Sequence, residues 1–123
     1  MDVVHNPAEG VNIITFQSTA GQYFYARAFS ISGTGATATI SMGSTITVNS
    51  GVNSHATTVY HAGEQVVATI YYNNSGSLNK VTTIGFNGTT IAVQQSANFF
   101  SGSGLSNIKC VYDSGITHIA IWF

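Results

Sequence analysis

The chain has 123 residues and a mass of 12.9 kDa, which is one domain by length. Hydrophobic residues make up 44 percent, charged residues only 6 percent, and the net charge is −1. These values exclude a disordered chain, a phosphate-binding surface, since only Arg27, Lys80 and Lys109 are basic, a disulfide framework, since Cys110 is alone, and a transmembrane helix.

From the N-terminus, MDVVHNPAEG carries neither a basic nor an apolar leader region, so no secretory signal is expected. Residues 1–10 read as a mobile segment ahead of a single domain spanning 11–123. The rest reads as strands and turns, because short runs alternate apolar and polar residues and favour β-branched and aromatic side chains. Strands are expected at 11–17, 22–31, 37–42, 44–49, 57–60, 65–73, 80–86, 89–94, 106–112 and 116–122. Gly43, between two of these, fits a bulge inside one longer strand. Asn87-Gly88, between alternating runs, signals a tight hairpin. Helix is confined to at most one turn near 52–57. The fold class is all-β: an antiparallel sandwich of nine or ten strands, with jelly-roll connectivity.

Four runs are apolar on both faces: VNIITF (11–16), YFYARAF (23–29), VVATIYY (66–72) and THIAIWF (117–123). A two-layer sandwich buries one face of each sheet. With no helix to cover the other, the economical cover is another copy of the chain, and a homotrimer is favoured. Depletion of charge agrees with interface-forming surfaces.

Signals for catalysis are sparse. Asp2 and Glu9 fall in the expected mobile segment, leaving Glu64 and Asp113 as the ordered carboxylates of a small hydrolase, the least favoured reading. No nucleophile elbow, P-loop or H-E-x-x-H is present. Gly33-x-Gly35 precedes an alternating strand rather than a helix, so it is no dinucleotide fingerprint. His55, His61 and Glu64 follow no common zinc spacing. His118 could meet its copies on a trimer axis, but no metal or cofactor is expected. Cys110, within IKCVY, reads as a small buried hydrophobe.

Binding is the richer signal. Sugar recognition needs flat apolar rings to stack on sugar faces beside neutral amide or hydroxyl groups that bond sugar hydroxyls. Tyr60, His61 and Glu64, then Tyr72, Asn73 and Asn74, then Tyr112 and Asp113, stand at strand ends next to turns and are the candidate ligand-binding residues.

The run HAGEQVVATIYY (61–72) and the run NFFSGSGL (98–105) resemble segments of trimeric jelly-roll heads of the C1q/TNF-like kind, which are similar in build to phage tail-fibre and surface-filament tips. The resemblance implies a trimeric recognition head on a virion or cell-surface appendage. It departs where the strand pair 106–123 follows the second run. The expected function is a non-enzymatic receptor- or carbohydrate-binding domain, lectin-like or adhesin-like, whose partners are its own copies and a cell-surface glycan, with neither nucleic acid nor membrane insertion. The alternative is a structural virion, capsid-decoration or filament-assembly protein.

Overall fold

The structure is a computed structural model; it describes residues 1–19, 23–51, 53–102 and 107–123, with the backbone alone at 53–55. Among the described residues ten strands follow one another: β1 (Asp2–Asn6), β2 (Val11–Gln17), β3 (Phe24–Ser32), β4 (Thr39–Asn49), β5 (Asn53–His61), β6 (Val66–Asn73), β7 (Leu78–Asn87), β8 (Thr90–Ser101), β9 (Lys109–Asp113) and β10 (His118–Trp122). Two single 3-10 turns, at Gly35–Thr37 and Asn74–Gly76, are the helical elements among the described residues. No helix is long and apolar enough to cross a membrane among them.

The first sheet has the order β1-β2-β3-β4 and the second the order β5-β6-β7-β8, all antiparallel, with β9 and β10 forming a separate hairpin. The two sheets form a sandwich. Ile13, Phe24, Ala26, Ala28 and Val48 of the first sheet meet Val67, Tyr71, Ile84 and Ile91 of the second in one core. The period-2 burial of β2 and β3 is the physical consequence: alternate residues point inward and are lost to solvent. The expected sandwich is therefore present. Its connectivity is not the expected jelly roll, because neighbouring strands in each sheet are consecutive in sequence. Each sheet is a meander built of hairpins, without the Greek-key crossovers that a jelly roll needs.

The turns are where the sequence steers this outcome. Asn87 pairs with Thr90, so Gly88 and Thr89 form the two-residue loop, and Gly88 takes φ of 57°, as the first loop position of a II′ turn requires. Residues 39–49 are a single strand bulged at Gly43, where Arg27 faces Thr45 but Phe29 faces Met42. Gly43 also lies under the β7–β8 turn; a Cβ there would come within 2.0 Å of the Thr89 carbonyl oxygen. Of the helical turn expected near 52–57, residues 53–57 instead begin β5, and residue 52 lies outside the described residues.

Residues 1–10, expected outside the domain, supply β1. Asp2–Asn6 pairs with Val11–Thr15. Asn6 closes the hairpin by accepting from Ala8 N–H (3.0 Å) and Glu9 N–H (3.4 Å). The two carboxylates assigned to a mobile segment are tethers to the second sheet. Asp2 Oδ2 accepts from Thr58 N–H at 2.8 Å, and Glu9 Oε2 accepts from Gly88 N–H at 3.1 Å. Behind Asp2, hydroxyls link Thr15, Thr58 and Thr69 at 2.9 and 3.4 Å, so buried Thr15 and Thr69 are satisfied across the sandwich.

A third layer lies over the second sheet. Register places Thr57, Val59 and His61 of β5 beside Ile70, Ala68 and Val66 of β6 on its outer face. Ala68 and Ile70 are nevertheless buried. The β9–β10 hairpin supplies cover with Cys110, Tyr112, Ile119 and Ile121, which alternate inward and are half-buried. Cys110 Sγ lies 3.6 Å from Thr57 Oγ1. Thus the expectation that nothing in the chain is left to cover a second face fails for this sheet: the chain covers it with its own last two strands.

Candidate functional site

The β5–β6 turn (62–65) and the β9–β10 turn (114–117) meet at one end of the molecule, because the hairpin lies along β5. His61 ends β5 and Tyr112 sits near the end of β9; their rings are 4.6 Å apart at 51°. Tyr112 Oη accepts from Gly63 N–H at 3.2 Å. His61 Nδ1 accepts from Glu64 N–H at 3.1 Å, and its Nε2 faces the Thr117 carbonyl oxygen at 3.1 Å. A backbone N–H can only donate and a carbonyl can only accept, so the arrangement matches a ring that accepts at Nδ1 and donates from Nε2. Asp113 Oδ1 accepts from Gly115 N–H at 2.8 Å and shapes the opposing turn. Glu64 is exposed on the β5–β6 turn.

Two residues of this corner hold left-handed backbone without being glycine: Gln65 at φ 52° and Thr117 at φ 54°. For a β-branched threonine this is a costly conformation. The carbonyl of Thr117 is the one that His61 holds, so the imidazole bond helps fix the turn.

Four of the candidate residues, His61, Glu64, Tyr112 and Asp113, therefore come together. Tyr60 precedes His61 but points the other way, half-buried against the core. Tyr72, Asn73 and Asn74 lie at the far end of β6 and the turn after it, six to eight residues from Val66, the partner of His61. That is about 20 Å along the strand. There Asn73 is buried and accepts from Ser75 N–H at 3.1 Å, capping the 3-10 turn. The eight residues thus divide between two ends of the second sheet.

The side chain of His55 lies outside the described residues, so its triplet with His61 and Glu64 is not assessed. Among the described residues no group of three or more His, Cys, Asp or Glu side chains could hold a metal ion. His118 is exposed, and its Nδ1 bonds the Ile116 carbonyl within its own turn. Cys110 is half-buried, as its strand context suggested, and burial pushes its thiol above the ordinary value despite the Thr57 hydroxyl. A shallow cleft of about 200 Å³ beside the β7–β8 turn, lined by Phe86, Ile91 and Gln94 among others, is smaller than the usual small-molecule site.

Sequence reasoning missed Thr117 and Gly63, which hold His61 and Tyr112 in place. Their own signals are weak; only the pairing of the two turns reveals them. No protein-family model matches the chain, and no curated protein or solved structure matches it either.

Proposed function

We propose that this chain is a non-enzymatic recognition domain that works as a multivalent homo-oligomer and binds a cell-surface glycan or receptor at the corner of His61, Glu64, Tyr112 and Asp113. The observation that carries the reading is the state of His61. Both of its ring nitrogens are committed to backbone groups, and its ring packs at a tilt against Tyr112. An imidazole so used serves as a fixed wall for a ligand; moving a proton would break the corner that holds it. Glu64, on the β5–β6 turn, and Asp113, at the end of β9, are exposed carboxylates, the kind of acceptors that sugar hydroxyls or a basic peptide would meet. Loops held on a rigid sandwich bind with little ordering cost, and several weak sites on one assembly gain through effective concentration.

A glycan array probed with the protein tests the reading. Retention on a defined class of glycan, lost in Glu64→Gln and in His61→Ala while circular dichroism is unchanged, is the expected result. No retention on glycans or on cell surfaces would overturn it.

A second reading, a structural virion, capsid-decoration or filament-assembly protein, is favoured by a different observation: large apolar side chains remain exposed on β3, β4, β9 and β10. Assembly without any glycan retention is its signature.

A further inference from the structure

We propose that the outer face of the first sheet is an interface that buries itself against the same face of a second copy of this chain. This rests on the oligomeric part of the reading above and names the surface that part requires.

The register lays the face out residue by residue. His5, Asn12, Phe29 and Met42 form one row across the four strands; Val3, Ile14, Arg27 and Thr45 form the next. Phe16, Tyr25 and Thr47 form a third, and Ile31 pairs with Ile40 beyond them. Phe16 and Tyr25 pack at a tilt with ring centroids 5.6 Å apart, and Tyr23 lies 6.0 Å from Tyr25. Nothing in the described chain lies over these rows: Val3, Ile31, Ile40 and Met42 are 52, 55, 64 and 48 percent exposed. Water on such a face costs free energy in proportion to its apolar area.

Three observations choose a second copy as the cover. The size is right. Four strands about 4.8 Å apart, the longest well over 25 Å, make a plan area on the order of 500 Å², and protruding side chains carry it towards the roughly 800 Å² per partner of a standard interface. The charge is right. Arg27 is the one formal charge in these rows, and its Nε already donates to the Gly43 carbonyl at 2.8 Å. A chain of net charge −1 meets little repulsion from its twin. The geometry is right. An open sheet face stacks on another at about 10 Å with aligned strands, and a two-fold axis makes the same rows serve both partners. The second sheet shows that this chain does cover such a face, for its own outer rows lie under the β9–β10 hairpin.

Light scattering on a sizing column, with the full chain at tens of micromolar, tests this. The wild type is expected at a multiple of 12.9 kDa. Ile40→Lys combined with Met42→Lys places two charges on exposed positions of the face, so the fold is retained, as circular dichroism would check. This variant is expected to elute as a monomer, with the dissociation constant raised more than about 100-fold. Val111→Lys, on the exposed outer side of the hairpin, is expected to leave the wild-type mass unchanged. A wild-type monomer would overturn both the interface and the multivalent reading. A wild-type oligomer that survives the double variant would overturn the interface alone, and separation by Val111→Lys would move it to the hairpin.

Discussion

The two sheets of this sandwich have similar outer faces and opposite fates. On the second sheet, Val59, Ala68 and Ile70 are lined up by register much as Ile14, Tyr25 and Phe29 are on the first. Yet Ile70 is fully buried while Ile40, on the first sheet, is 64 percent exposed. The C-terminal hairpin lies over the second sheet, against β5 and the β5–β6 turn. Its inner residues cover one face, and among the described residues no comparable element covers the other. Apolar patterning on both sides of a strand therefore states a need for cover; it does not state whether the cover comes from the same chain or from another.

The largest expected effect breaks the comparison at its covered side. Ile70→Ala removes a fully buried side chain on the outer face of β6 and should cost about 2–5 kcal/mol of stability in urea denaturation. A cost below about 1 kcal/mol would mean that the hairpin does not seal the face. Next in size is Gly43→Ala, at the bulge of the uncovered sheet. The added Cβ meets the Thr89 carbonyl at 2.0 Å, a backbone atom that cannot rotate away. A loss of about 1–3 kcal/mol is expected. A neutral result would show that the β7–β8 turn does not rest on β4.

Most of the sandwich was legible in the sequence because period-2 burial and turn chemistry act locally. The alternation in VNIITF and the turn residues Asn87-Gly88 each needed only a few neighbours to be read. The topology was not legible, since every hairpin order satisfies the same alternation. β1 was missed for another reason. DVVHN is short and mixed, and what fixes it is Asp2 bonding Thr58, fifty-six residues away. The site was half legible. Tyr112 and His61 were singled out separately as residues at strand ends, but only the hairpin's position over β5 brings their rings together and leaves Tyr72, Asn73 and Asn74 elsewhere.

A smaller effect probes the interior between the two faces. Tyr71 is buried, and its hydroxyl shares a bond of 3.0 Å with Thr82 Oγ1, which bonds Ser96 Oγ at 2.6 Å. Tyr71→Phe leaves the Thr82–Ser96 bond in place, so about 1 kcal/mol should be lost. Burial raises the Tyr71 phenol above its ordinary 10.0, and burial likewise raises the Cys110 thiol above its ordinary 9.0. Both shifts favour the protonated forms in the fold. The stability they contribute is complete below the unfolded values and is lost as pH rises through them toward the folded values. Unfolding free energy measured across the alkaline range should therefore decline, and decline less steeply in Tyr71→Phe. An identical alkaline slope in both proteins would remove Tyr71 from the account.

The smallest effect is expected on the uncovered face. Ile40→Ser replaces an exposed residue of β4 whose cross-strand partner, Ile31, is exposed too. The isolated chain already leaves most of this side chain in water, so its removal forfeits little burial and no cavity forms. The stability of dilute protein should change by no more than about 0.5 kcal/mol, while self-association at higher concentration should weaken. The pairing of those two readouts carries the weight. A residue that matters to neither is an ordinary surface isoleucine, and the face then needs no cover. A loss of about 2 kcal/mol in dilute protein would mean that Ile40 is packed within a single chain, and the contrast between the two sheets would disappear.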